Sequence, residues 1–180
     1  MIKPVIESFK SGRSAIIGPV RLSYPHLTEP DNLTGKYGCS LIIPGGAPSA
    51  ATVDALRRCI DETAEIGVAL KWHGERPAVC TSPLEATDDG GHILKTSSKT
   101  APVLSGVDGK PLDDPETMYG GCWVLASVGF APYEYIGKKG VTCYVKGLRK
   151  VRDGERFGAD ARAALNAVDI DEYMVDDDDL

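Results

Sequence analysis

A β-rich fold with one helix, its short antiparallel strands curled into a small barrel, is the architecture that the sequence predicts. Three observations carry this expectation. Twenty Gly and twelve Pro divide the 180 residues into short pieces, a spacing that favours strands and turns over a helical bundle. Several pieces alternate apolar and polar residues with the period of a half-buried strand. Only one segment changes to the three-and-four step of a helix.

In chain order, GPVRLSYPHL (18–27) sets Val20 and Leu22 on one face and Arg21 and Ser23 on the other. KYGCSLIIP (36–44) alternates likewise, Tyr37, Cys39, Leu41 and Ile43 against Lys36, Gly38 and Ser40. From Ser49 to about Gly67 the apolar residues are Val53, Leu56, Ile60 and Ala64, with Pro48 in front and Ser49 placed to cap a helix. Residues 70–114 are rich in Pro, Gly and Asp, with a strand expected near HILKTS (92–97) and a turn at VDGKP (107–111). CWVLASVGFAPY (122–133) carries Cys122, Val124, Ala126, Val128 and Phe130 on one face, and its other face is nearly as apolar, which predicts a central strand. A hairpin turn at Ile136–Gly140 then returns the chain as VTCYVKGL (141–148), with Val141, Cys143 and Val145 inward and Thr142, Tyr144 and Lys146 outward. No internal repeat is visible.

The length fits one domain, residues 1–168, followed by a tail, 169–180. A hydrophobic content of 42% with 26% charged residues is ordinary for a folded soluble protein. Pro4, Glu7 and Lys10 interrupt the apolar residues of the N-terminus, so a secretion signal is not expected, and the predicted location is cytoplasmic, away from membranes. Cys39, Cys59, Cys80, Cys122 and Cys143 are odd in number and include no C-x-x-C, which predicts reduced, buried thiols. The net charge of −6 misleads as an average. The last twelve residues hold seven acids and no base, so the remainder is +1, and Lys138–Arg156 alone is +5. The sequence thus describes a patchily basic body with an acidic end.

Catalytic machinery is hard to find. His73-Gly74-Glu75 matches the H-x-E of zinc nucleobase deaminases, but the P-C-x-x-C that must follow is missing. There is no phosphate-cradling G-x-x-x-x-G-K-[ST] and no G-x-S-x-G elbow. Asp88-Asp89 and Asp113-Asp114, beside Gly and Pro, read as turns. The expectation is a protein that is not an enzyme and uses no cofactor or metal. Binding chemistry is better supplied, because single-stranded nucleic acid needs cations along its phosphates and flat rings under its bases. The segment 123–149 offers both: Trp123, Tyr133 and Tyr135 share one face by strand parity, Tyr144 and Lys146 face outward on the returning strand, Lys138 and Lys139 sit at the turn, and Arg149 ends the run. Arg21, Lys36, Lys95 and Lys99 could extend a cationic groove, and Trp72 is a further candidate ring. The competing uses are core filling for the tryptophans and plain surface charge for the cations.

The blocks GPVRLSYPHLTEP, KYGCSLIIP, the helix leading into ALKWHGERP, SSKTAPVL, DGKPLDDPETMYGGCWVLASVGF and KKGVTCYVKGLRKVRDGERFG occur in an order that resembles a family of bacteriophage single-stranded DNA-binding proteins. The likeness spans most of residues 15–158. It implies an OB-fold, a five-stranded barrel whose groove takes single-stranded DNA with little sequence preference. It also implies service in phage DNA replication, recombination or repair, in the host cytoplasm, with duplex DNA tolerated by some relatives. The chain departs from the family at Leu125, Gly129 and Ala131, where relatives carry polar, basic or aromatic groups, and this shifts the expected contacts toward Tyr133, Tyr135 and Tyr144. Replicative single-strand binders end in a flexible acidic tail with an apolar last residue, and Asp176, Asp177, Asp178, Asp179 and Leu180 are similar. The resemblance therefore implies a disordered tail that competes with DNA for the groove and recruits replication or recombination proteins. A second copy of the chain is a further expected partner. Two other readings stand beside this one: an interaction module whose acidic end imitates nucleic acid, and a metal-dependent nuclease or deaminase.

Overall fold

In the computed structural model, which describes residues 1–157 and 165–168, the alternating segments become strands of one curled sheet. The elements are β1 (Val5–Phe9), β2 (Gly12–His26), β3 (Gly38–Ile43), α1 (Ala50–Leu70), β4 (Leu84–Ala86), β5 (His92–Lys95), β6 (Val103–Ser105), β7 (Trp123–Tyr135) and β8 (Lys138–Arg152). Their order across the sheet is β4-β5-β3-β2-β7-β8-β6, with β1 added to β2. All pairings are antiparallel except β6 with β8. The expected placing of β7 in mid-sheet holds, since it lies between β2 and β8.

The mostly-β, single-helix class is as the sequence predicts, but the five-stranded closed barrel is not. Among the described residues the sheet has eight strands, and no strand ladder closes it. The gap between β3 and β8 is spanned by Thr96–Ser98. Thr96 donates its N–H to Cys39 O (2.9 Å), Ser97 to Cys143 O (2.9 Å) and Ser98 to Tyr37 O (2.7 Å). The Ser98 hydroxyl also accepts from Val145 N at 2.9 Å. These bonds satisfy backbone groups that an open edge would leave unpaired. The unexpected strands gave little sequence signal: β4 and β6 are three residues each, and β1 is exposed at four of its five positions.

The core follows the alternation. Val20, Leu22, Leu41, Ile43, Leu94, Val124, Ala126, Val128, Phe130, Val141, Cys143, Val145 and Leu148 are all buried, and Val53, Leu56, Ile60 and Ala64 of α1 pack on the same cluster. Each large side chain so buried contributes roughly 1.5–3 kcal/mol. The helix begins at Ala50, as expected, but Ser49 makes no side-chain cap bond; a 3-10 turn over Ala47–Ser49 enters the helix instead. Burial pushes the Cys39 and Cys59 thiols up to about 11 and raises that of Cys143 well above its ordinary value, so these sulfurs are poor nucleophiles at neutral pH. Among the described residues no group of His, Cys, Asp and Glu could hold a metal ion, and no helix is long and apolar enough to cross a membrane. The acidic end, residues 169–180 with Asp176–Asp179 and Leu180, lies outside the described residues.

Candidate nucleic-acid interface

Paired residues of an antiparallel ladder point to the same side, so the β7–β8 register fixes what the outer face presents. Its outward pairs are Trp123 with Arg152, Leu125 with Arg149, Ser127 with Gly147, Gly129 with Tyr144, Ala131 with Thr142, Tyr133 with Gly140, and Tyr135 with Lys138. The register shifts between Ser127 and Val128, which leaves Lys146 unpaired as the extra residue of a bulge. From this bulge Lys146 reaches over the sheet until its Nζ stands 5.2 Å from the Phe9 ring.

Two adjoining grooves run beside this face. One, of about 510 Å³, is lined by Lys36, Lys99, Tyr144 and Lys146 with Ser97 and Thr142. The other, of about 660 Å³, includes Lys36, Lys95, Lys99, Tyr133 and Tyr135, and it shares Lys36, Ser97, Lys99 and Thr142 with the first. Seven expected contact residues from four separate stretches of sequence are thus brought together: Lys36, Lys95, Lys99, Tyr133, Tyr135, Tyr144 and Lys146. Glu85 and Glu134 also line the second groove. Lys95 is bridged to Glu85 at 3.1 Å, but both side chains are more than half exposed. Such a pair is worth at most about 1 kcal/mol, so a phosphate can compete for the lysine.

Gly129 explains how Tyr144 lies. A Cβ built on Gly129 would run into the Tyr144 ring atoms Cζ, Cε2 and Oη, so the missing side chain is the space that the ring occupies. The missing side chain at Gly129 therefore makes room for an aromatic group carried by the next strand. Gly140 has a different use: a Cβ there would collide with Thr81, whose bonds to Lys139 O and Val141 N hold the 81–83 segment against the groove. Gly129→Ala is expected to swing the Tyr144 ring away and weaken oligonucleotide binding roughly three- to tenfold, while thermal stability changes little. An unaltered dissociation constant would mean that the resting place of the ring does not matter.

The other expected contacts lie elsewhere. Lys138 and Lys139 sit at the hairpin tip opposite Tyr135 and Glu134, across the turn Ile136–Gly137. Both turn residues have positive φ, 49° and 74°, the type I′ geometry that suits a two-residue hairpin. Arg149 donates to Val107 O at 3.0 Å and braces the 107–111 turn. Arg21 and Trp123 share the far end of the ladder, with the guanidinium carbon 5.8 Å from the indole and 4.3 Å from the Phe157 ring. Trp72 is corrected outright. It is 1% exposed, and its Nε1 donates to Tyr133 O at 3.1 Å. Its ring belongs to the core and offers no face to a base. Sequence reasoning also missed Phe9, which is 47% exposed beside Lys146; a single ring among the polar residues of ESFKSGR carries no periodic signal.

The basic run 138–156 does not form one patch. Lys150 points to the other side of the sheet, pairing with Asp153 at 2.6 Å and donating to Thr117 O at 2.8 Å. Its Nζ is 5.1 Å from the Tyr119 ring, and the Arg156 guanidinium carbon stands 4.3 Å from the same ring. Hydrogen bonds from Lys150 and Tyr119 hold the Asp153 carboxyl below its usual range.

Proteins of known structure share this fold. Search of the curated proteins finds no match. Among solved structures, the C-terminally truncated single-stranded DNA-binding protein of bacteriophage Enc34 is similar at TM-score 0.68 and 22% identity, over 86% of this chain and 98% of that one. The same phage protein in complex with single-stranded DNA aligns at TM-score 0.58 and 21% identity, over 84% and 96%. The bacteriophage T7 single-stranded DNA-binding protein gp2.5 aligns at TM-score 0.64 and 18% identity, over 97% and 99%. At these identities the likeness establishes the fold. The family model described as the Enterobacter phage Enc34 ssDNA-binding protein matches residues 13–180, nearly the whole chain, and the chain belongs to that family of phage single-stranded DNA-binding proteins.

Proposed function

We propose that this chain binds single-stranded DNA in the paired grooves beside β8, without catalysing a reaction, and serves phage DNA replication, recombination or repair in the host cytoplasm. The observation that carries the reading is the meeting of Tyr133, Tyr135 and Tyr144 with Lys36, Lys99 and Lys146 along one continuous trough. Bases stack on the tyrosines, and the ammonium groups follow the phosphates. Neither contact reads base identity, so binding tolerates sequence. The acidic residues 169–180 compete for the same cations and, once displaced, meet replication or recombination proteins. What supports this part is charge: seven carboxylates on a body that is otherwise +1.

Titration of a labelled oligonucleotide against salt tests the reading. With about five phosphates neutralised at a slope near −0.7 each, affinity is expected to fall roughly a hundredfold between about 50 and about 200 mM salt. Deleting residues 169–180 is expected to tighten binding, most at low salt where screening is weakest. A salt-insensitive interaction would overturn the groove. Unchanged affinity after the deletion would remove the competitive role of the tail, and a duplex oligonucleotide in parallel measures strand preference.

A further inference from the structure

We infer that the Arg21–Trp123 end of the β7–β8 ladder is a second nucleobase slot that Phe157 holds closed. The inference rests on the single-stranded DNA reading above and adds to it a site that the chain itself occupies.

The slot is built around a guanidinium that cannot wander. Arg21 donates from Nε to Gly121 O at 3.3 Å and from Nη2 to Glu155 O at 2.5 Å, which fixes the plane of the group. The Arg21 guanidinium carbon stands 4.3 Å from the centre of the Phe157 ring and 5.8 Å from that of the Trp123 indole. On the neighbouring strand the Arg152 guanidinium carbon is 4.6 Å from the same indole. A flat ring laid on an arginine plane beside an aromatic side chain is a usual way for proteins to hold an unpaired base. Phe157 occupies that position.

Phe157 is also poorly anchored for a permanent fixture. It lies five residues beyond the end of β8, is 42% exposed, and among the described residues has one backbone bond, from its N–H to Gly120 O at 3.1 Å. None of Arg21, Trp123 and Phe157 belongs to the hydrophobic core, so the contact does not seal the interior. Among the described residues the Arg21 contact and the bond to Gly120 hold the ring in place, and a nucleobase supplies an equivalent flat face. It also brings a phosphate, which Phe157 lacks, toward Arg152 and Arg149.

The slot continues the trough. Trp123 and Arg152 are outward partners on the ladder that presents Tyr144, Tyr133 and Tyr135. Gly129, over which Tyr144 lies, is six steps along β7 from Trp123, a span of about 20 Å. A short oligonucleotide fills the tyrosine trough alone. A longer one reaches the slot and displaces Phe157.

Tryptophan emission of the full chain reads this directly, because Trp72 is buried and hydrogen-bonded and contributes a steady background. Oligothymidylates of about 4 and about 16 nucleotides, the ends of the range that one such domain covers, serve as probes. The long probe is expected to quench Trp123 and the short one to leave it unchanged. Phe157→Ala is expected to tighten the long probe about five- to tenfold without changing the short one. Arg21→Lys keeps the charge but removes the plane, and it is expected to abolish the quenching by the long probe while sparing the affinity of the short one. Long-probe binding with unaltered Trp123 emission, or Phe157→Ala acting equally on both lengths, overturns the slot. Failure of both probes to bind overturns the trough itself, and the slot with it.

Discussion

Trp72→Ala is expected to destabilise the folded chain by about 3–5 kcal/mol, the usual cost of emptying a large aromatic site in a core. The indole is 1% exposed, and a Cβ built on Gly67 would approach its Cζ3 and Cη2 to 2.8 Å, so the ring is fitted against the last turn of α1 with no spare volume. Removing it leaves a cavity and also removes the indole's 3.1 Å bond to the Tyr133 carbonyl. Against a total stability of roughly 5–15 kcal/mol, such a loss is about a fifth or more of the whole. Chemical denaturation followed by circular dichroism measures it. Trp72→Phe, which keeps one aromatic ring but loses the N–H and part of the indole volume, is expected to cost less, about 1–3 kcal/mol. A loss under about 1 kcal/mol for the alanine variant would mean that the indole is dispensable to packing. Oligonucleotide affinity, measured where the variant remains folded, is expected to change far less than stability. Trp72 acts on the trough through the backbone of Tyr133, not by touching a base.

The fate of Trp72 shows where sequence legibility ends. Strand parity is a local property, and it assigned the buried face of β7 and β8 residue by residue: Val124, Ala126, Val128 and Phe130 inward, and Val141, Cys143 and Val145 opposite them. The helical step through Val53, Leu56, Ile60 and Ala64 was equally readable. Trp72 follows the helix in a segment with no period, and only the tertiary approach of Tyr133 decides that its N–H is satisfied inside. The same limit applies to charge. A run of seven cations looks like one patch in sequence, but bulges in β8 turn Lys146 toward Phe9 and Lys150 toward Asp153. Lys36, Lys95 and Lys99 belong to the trough because Thr96–Ser98 is stitched to both β3 and β8, a long-range pairing that no local pattern announces. Gly129 read as a departure from the family because its role is visible only with Tyr144 lying over it.

Alanine at Tyr133, Tyr135 and Tyr144 together is expected to weaken single-stranded DNA binding by roughly a hundredfold or more, since each lost base stack costs about 1–3 kcal/mol. Affinity alone does not separate loss of stacking from loss of charge, but salt does. The log–log salt slope counts neutralised phosphates, and a tyrosine neutralises none, so the triple tyrosine variant is expected to keep its slope while the whole line drops. Lys36→Ala, Lys99→Ala and Lys146→Ala combined should do the reverse, flattening the slope by about 2 and losing most of its effect at high salt. Tyr144→Phe keeps the ring over Gly129 and is expected to bind nearly as the parent does. The exposed tip offers an internal comparison: Tyr135 is 70% exposed and can be truncated with little cost in stability, so lost affinity in Tyr135→Ala reports on binding alone. If the tyrosine variant changed the slope, or the lysine variant left it untouched, the rings and ammonium groups would not hold the roles assigned to them. The trough would then be a surface feature beside some other path for the strand.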